Sequence, residues 1–269
     1  MARPIVALLT DFGTIDHYAG TMKGAALTIC PDATLVDISH DVPPHDILAG
    51  ALELHASFRY FPPGTVFLVV VDPGVGSTRR GLAAEAGDYR FVAPDNGVLS
   101  AVFEEIAPRR VVSLTERRYA RPTISRTFEG RDRFAPAAAW LAKGAEVAAL
   151  GSAVKDYVRI GIPHATQTGD RLVGQVLRVD RFGNLVTNIP RAMVDRLASG
   201  GAIDILAGGQ PIGTLVETYA GAAPGTPCAL FGSSERLEIA LNGGDAAAHL
   251  GLTAGAVVEV ARPATAVVR

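Results

Sequence analysis

Apolar and polar positions alternate between strand and helix periods along the first part of the chain. Ile5-Val6-Ala7-Leu8-Leu9 is a continuous apolar run that predicts a buried strand, and it stops at Thr10-Asp11-Phe12-Gly13. Tyr18, Met22, Ala25 and Ile29 then fall at helical spacing, and Pro31 closes that helix. Thr34 to Ile38 predicts a short strand. After the Val42-Pro43-Pro44 loop, Asp46 is a candidate cap for a helix whose inner face is Ile47, Ala51, Leu54 and Phe58. Pro62-Pro63-Gly64 ends that helix. The β-branched run Val69-Val70-Val71 predicts a fully buried strand, stopped by Asp72-Pro73-Gly74-Val75-Gly76. Arg90 to Ala93 predicts another strand. It ends at Pro94-Asp95-Asn96-Gly97, where Asp95 or Asn96 is a candidate cap for a helix over Val98 to Ile106. Such alternation predicts an α/β domain with a mainly parallel sheet and helices on both faces. The strand-end carboxylates Asp11, Asp72 and Asp95 would gather on one sheet edge, where ligands bind.

The pattern changes near Pro163 to Gly169. Strand-like segments dominate afterwards: Leu172 to Val179, Ala202 to Leu206, Gly213 to Thr218, Cys228 to Phe231, Leu237 to Leu241 and Val257 to Val260. Turns of Gly, Pro and Asn separate them, which predicts a small all-β, barrel-like domain. The expected organisation is an N-terminal α/β domain over residues 1–163 and a C-terminal β domain over residues 170–269.

Composition narrows the function. The chain has 269 residues and 48% hydrophobic content, enough for a sizeable core. A net charge of −2 argues against nucleic acid held by bulk electrostatics. The basic stretch Arg109-Arg110, Arg117-Arg118, Arg121 and Arg126 holds one aromatic, Tyr119, and reads as a solvated face. The two cysteines, Cys30 and Cys228, lack metal or redox spacing, so a reduced, cytoplasmic protein is expected. The apolar N-terminal run is too short for a signal-peptide core or a membrane span. Dinucleotide, P-loop, zinc-protease and nucleophile-elbow motifs are missing. Carboxylates and arginines remain as the candidate chemistry. Arg79 lies seven residues after Asp72, so the turn can fold it back on that carboxylate. The charge-dense stretch from Ser125 to Phe134, just before the apolar helix Ala135 to Ala142, suggests a site; surface ion pairs, each worth little, are the alternative.

Several motifs together resemble one family over nearly the whole chain. They are Leu9-Thr10-Asp11-Phe12-Gly13, Tyr18 to Gly24, Val71 to Gly76, Ala93 to Gly97, Thr127 to Pro136, Asp180 to Asn184 with Thr187-Asn188-Ile189, and Ser233-Ser234 to Asn242. The chain is similar to S-adenosyl-L-methionine (SAM) hydrolases, or SAM hydroxide adenosyltransferases, relatives of the SAM-dependent fluorinase and chlorinase. The resemblance implies a homotrimer that binds SAM between one subunit's N-terminal domain and its neighbour's C-terminal domain. It implies hydrolysis to adenosine and L-methionine without a cofactor or metal. By the same resemblance, Asp11 would accept the ribose hydroxyls, and Asp72 with Arg79 would belong to the cluster holding the attacking water or hydroxide. Asp16, Asp180, Ser233 and Ser234 match positions around the methionine end. Phe182 and Tyr219 would pack on adenosine, Asn184 would read an adenine edge, and Glu238 sits in the last ligand motif.

One departure stands out. The family pattern implies a histidine where this chain has Glu129. If Glu129 joins Asp72 and Arg79, the cluster holds two carboxylates and one arginine. An anionic nucleophile, hydroxide or halide, would be held less well, while crowding raises one carboxylate pKa towards that of a general base. Alternatively Glu129 pairs with Arg131 or Arg126 and points away. Hydrolysis is the expected activity; a SAM-dependent halogenase and a non-catalytic SAM or adenosine binder are the alternatives.

Overall fold

The computed structural model describes residues 3–213 and 215–263. The chain forms two compact units, Met1–Ile162 and Pro163–Arg269. No helix among the described residues is long and apolar enough to cross a membrane.

In the first unit, β1 (Ile5–Thr10), α1 (Tyr18–Leu27), β2 (Thr34–Ser39), α2 (Ile47–Ser57) and β3 (Val66–Val70) alternate as the hydrophobic pattern predicts. A hairpin of β4 (Gly81–Ala86) and β5 (Tyr89–Pro94) follows. Next come α3 (Ser100–Glu105), β6 (Pro108–Leu114), α4 (Ala135–Ala142) and β7 (Gly151–Ala153). The sheet order is β2-β1-β3-β5-β4-β6-β7. The pairings from β2 to β5 are parallel, and those of β4, β6 and β7 are antiparallel. Thr10 of β1 pairs with Val70 of β3, so Asp11 and Asp72 leave the same edge on neighbouring strands.

Every residue of β3 is buried. Its period of two splits the core: Val66, Leu68 and Val70 pack with Met22 of α1 and Leu141 of α4. Phe67 and Val69 pack with Leu54 of α2 and Val102 of α3 on the other face. Asp46 caps α2, its Oδ1 accepting from the Ala49 N–H at 2.9 Å. The cap expected at α3 is absent. Leu99 holds that position without a side-chain bond; Asn96 instead ties the turn just before the helix, its Oδ1 accepting from the Val98 N–H at 3.2 Å while its Nδ2 donates to the Val71 carbonyl, and Asp95 pairs with Arg80. Ile29 falls beyond the end of α1 yet packs against the same core as Met22 and Ala25, whereas Tyr18, at 41% exposed, leaves it. The β4–β5 turn is Gly87-Asp88, with Ala86 facing Tyr89; the Gly64 N–H donates to the Asp88 carbonyl at 2.8 Å. This turn lies at the sheet edge opposite Asp11 and Asp72.

The second unit is built from β8 (Thr166–Thr168), β9 (Arg171–Val179), β10 (Leu185–Pro190), α5 (Arg191–Ala198), β11 (Asp204–Ala207) and β12 (Gln210–Ile212). It continues with β13 (Pro227–Phe231), β14 (Arg236–Leu241), α6 (Ala246–Leu250) and β15 (Val257–Ala261). The antiparallel order is β12-β11-β15-β9-β10-β14-β13, with β8 on β9. Leu215, just past β12, bridges to Ala229 of β13, so the sheet nearly closes on itself around Leu172, Val176, Leu237 and Val260. Among the described residues of the strand expected over Gly213 to Thr218, none forms part of a regular strand. Leu215 makes only that isolated bridge, and Thr214 lies outside the described residues.

Candidate active site

The loop after β3 brings Arg79 back to Asp72. The Val75 N–H donates to the Asp72 carbonyl at 3.2 Å, the Ser77 N–H to the Gly74 carbonyl at 3.1 Å, and the Arg79 N–H to Ser77 Oγ at 3.2 Å. Arg79 Nε donates to Asp72 Oδ1 at 2.8 Å, and Nη2 donates to Oδ2, making a bidentate fork. The Arg79 guanidinium lies 5.1 Å from the Phe134 ring centroid. Gly76 has φ of +78°, and a Cβ there would stand 2.4 Å from the Arg126 carbonyl oxygen. The loop therefore needs glycine both for its turn and for its approach to residue 126.

Glu129 comes from the charge-dense stretch, which turns through a wide π-type coil over Gly130–Phe134 straight into α4. Its Oε2 lies 2.9 Å from Arg79 Nη2 and 3.7 Å from Arg133 Nη1. Glu129 thus joins the Asp72–Arg79 cluster and does not pair with Arg131 or Arg126. Arg131 is taken by Asp132, through Nε to Oδ1 and Nη2 to Oδ2, both at 2.7 Å. Glu129 Oε2 is buried and, apart from these ion pairs, has no hydrogen-bond partner among the described residues. Burial, with the Glu129 charge added, outweighs the Arg79 bonds and raises the Asp72 carboxyl above its ordinary pKa. Burial opposes the charge on Arg79, but Asp72 and Glu129 more than offset this and hold it firmly protonated.

Asp72 and Glu129 face a cavity of about 570 Å³ whose lining also includes Asp11, Phe12, Tyr18 and Phe128. Arg79 stands behind the carboxylates. Asp11 is oriented by the His45 N–H, which donates to its Oδ2 at 2.9 Å. Below it, Thr10 Oγ1 meets His40 Nδ1 at 2.8 Å, and His40 Nε2 lies 3.0 Å from Asp37 Oδ1. Tyr18 meets Phe128 edge-on at 5.2 Å, and Phe12 lies 6.0 Å from both rings, giving the cavity an aromatic wall. Asp16 lies in the exposed stretch before α1, off this lining. Asp95 does not join Asp11 and Asp72 at the cavity. It is spent on Arg80 Nε at 2.7 Å and the Val158 N–H at 2.8 Å. No group of His, Cys, Asp or Glu among the described residues is arranged to hold a metal.

The second unit carries its own polar cluster. In the turn after β9, Asp180 Oδ1 accepts from the N–H groups of Phe182 and Asn184 at 2.8 and 2.9 Å. Its Oδ2 accepts from Asn184 Nδ2 at 2.9 Å. These bonds bury Asn184 and turn Phe182 outward, 76% exposed. Tyr219 Oη donates to Glu238 Oε2 of β14 at 3.3 Å. Burial first, and then the Asp180 charge, raise the Glu238 carboxyl despite the Tyr219 bond and nearby Arg178. Burial and the Glu238 charge raise the Tyr219 hydroxyl as well. Ser233 and Ser234 are exposed in the β13–β14 turn. Two neighbours escaped the sequence reading. The Glu129–Arg133 pair had a legible signal in its i,i+4 spacing; the His40–Asp37 contact under Thr10 had none that distinguishes it.

The model of the SAM hydroxide adenosyltransferase N-terminal domain matches residues 6–151, and that of the C-terminal domain matches residues 174–259. The (R)-S-adenosyl-L-methionine hydrolase of Thermus thermophilus is 38% identical over 266 residues, covering 96% of this chain and 99% of that protein. The (R)-S-adenosyl-L-methionine hydrolase of Salinispora tropica is 36% identical over 255 residues, covering 94% and 95%. The crystal structure of an uncharacterized conserved protein from Thermotoga maritima superposes with a TM-score of 0.91 at 34% identity, covering 96% of this chain and 100% of that one.

Proposed function

The chain belongs to the SAM hydroxide adenosyltransferase family, and on that premise we propose that it hydrolyses SAM to adenosine and L-methionine. Water attacks the ribose C5′ in line with the C5′–S bond. That bond breaks with both electrons returning to sulfur, so methionine leaves as a neutral thioether. The water proton passes to the Asp72–Glu129 pair. Positioning and a preorganised field supply most of the rate.

The observation that carries this reading is the convergence of two buried carboxylates, Asp72 and Glu129, on one guanidinium at the cavity wall. The two carboxylates stand at the wall where a nucleophile would sit, with Arg79 and Arg133 behind them, an arrangement that suits proton removal from neutral water better than capture of hydroxide or halide. The raised Asp72 pKa brings that base closer to neutral pH. Arg79 acts from behind, holding both carboxylates in place.

The remaining roles follow the same reading. Asp11, fixed by the His45 N–H, accepts the ribose hydroxyls. Asp16, Asp180, Ser233 and Ser234 serve the methionine end. Phe182 and Tyr219 present aromatic faces to adenosine, Asn184 reads the adenine edge, and Glu238 completes that end. A homotrimer would let one subunit's cluster around Asp180 serve its neighbour's cavity. The buried free thiols of Cys30 and Cys228 suit a reducing, cytoplasmic setting.

Incubating the purified protein with SAM and separating products by chromatography tests the reading. Adenosine and methionine in equal amounts are expected. A 5′-halo-adenosine formed only with halide would replace hydrolysis by halogenation. Intact SAM despite measurable binding would leave a binding protein.

A further inference from the structure

Arg133 is absent from the cavity lining, yet its Nη1 stands 3.7 Å from the same Glu129 oxygen that meets Arg79. The two arginines are not equivalent. Arg79 gives its fork to Asp72 and only shares Nη2 with Glu129. Counting Asp72, Glu129 and Arg79 as ionised leaves one negative charge uncompensated; Arg133 brings the cluster to neutrality. The Glu129 side chain is only 9% exposed, so this charge is poorly screened by water, whereas Arg133, at 27%, keeps part of its hydration.

The backbone makes this contact possible. The coil over Gly130–Phe134 runs directly into α4, which places Arg133 one turn past Glu129 on the same side. Gly81 leaves room for it: a Cβ there would stand 3.4 Å from Arg133 Cδ and 2.5 Å from the Phe134 ring.

We infer that Arg133 is a positioning residue for the reaction: it neutralises Glu129 from behind the cavity and thereby sets the pH at which the Asp72–Glu129 pair becomes an effective base. The other titratable or charged groups on the cavity lining are Asp11, His17, Tyr18, His45 and Arg131, and Arg131 is committed to Asp132. Among the described residues, the ion pairs of Glu129 are those with Arg79 and Arg133. Removing the Arg133 charge leaves Glu129 acting more strongly on Asp72, which favours its protonated form. Asp72 acts as the base in its ionised form, so the effect falls on the acid limb of the rate profile.

The rate measurement rests on the hydrolase reading. Profiles of kcat against pH are compared for the unsubstituted protein, Arg133→Met and Arg133→Lys. The acid limb should move up by roughly 0.5–1 pH unit in Arg133→Met and return in Arg133→Lys, whatever either change does to the melting temperature. An unmoved limb in a folded Arg133→Met protein would overturn the inference, as would an equal shift in Arg133→Lys. If the unsubstituted protein turns over no SAM, the hydrolase reading fails by itself. Titrating the Asp and Glu carboxyl carbons by ¹³C NMR in the ligand-free protein then decides: an upward shift in Arg133→Met sustains the role, and superimposable curves end it.

Discussion

Glu129 Oε2 sits 2.9 Å from Arg79 Nη2, the nitrogen that also serves Asp72. The glutamate is therefore a member of the cavity wall, and its charge is felt by Asp72. Replacing Glu129 with glutamine removes one of the influences that raise the Asp72 carboxyl. The acid limb of kcat against pH should move to lower pH in Glu129→Gln, opposite to the direction expected for Arg133→Met. A limb that stays in place would mean that the two carboxylates do not communicate.

Asp72→Asn keeps the shape of the side chain and removes its basicity. Turnover should fall by about a thousandfold or more, within the range associated with losing general-base assistance. SAM should still bind, with the dissociation constant from calorimetry within about threefold of the original, a small change on the affinity scale. Undiminished turnover would remove Asp72 from the mechanism.

Asp180 ties its turn together through bonds to Phe182 and Asn184. Asp180→Ala leaves the buried Asn184 side chain without that partner and frees Phe182 to wander. A lower melting temperature and about tenfold weaker SAM binding are expected, equivalent to the loss of one good hydrogen bond. Normal affinity in a folded variant would separate this turn from substrate recognition.

Asp132 is buried, which alone would raise its pKa, but the Arg131 bonds, the Ser125 N–H and the charge of Arg121 lower it overall. A carboxyl whose folded pKa lies below its unfolded value stabilises the fold above the unfolded pKa. That contribution is lost as pH falls through the folded pKa. Asp132→Asn should therefore cost about 1–3 kcal/mol near neutral pH, and the gap to the unsubstituted protein should narrow on acidification below pH about 4. Urea unfolding at several pH values measures this; a gap that widens in acid would contradict it.

Gly76→Ala places a methyl group 2.4 Å from the Arg126 carbonyl oxygen at a φ of +78°. The loop must shift, and the Asp72–Arg79 fork with it. A fall in kcat larger than the accompanying change in SAM affinity is expected, measured by steady-state kinetics and calorimetry. Unchanged kcat would show that the fork survives movement of its loop.

Much of this arrangement could be read from residue order. The β3 run, the Asp46 cap and the return of Arg79 to Asp72 are local consequences of spacing and turn chemistry. Other features were not local. Asp95 has the same strand-end context as Asp11 and Asp72, yet Arg80 and the backbone near Val158 absorb it. β4, with the sequence GLAAEA, lacks the β-branched signal of a strand and forms because β5 and β6 flank it. The direction of Glu129 depended on which of several arginines was already occupied. Arg131 was taken by Asp132, so Glu129 met Arg79 and Arg133.

The tight turn at Gly87-Asp88 has a practical use. Because β4 runs back from the cavity edge before β5 returns to it, this turn lies the length of a strand away from Asp11 and Asp72. An affinity tag or fluorophore tether spliced between those two residues would give the protein a handle for immobilisation or single-molecule work while leaving the β3–β4 loop undisturbed.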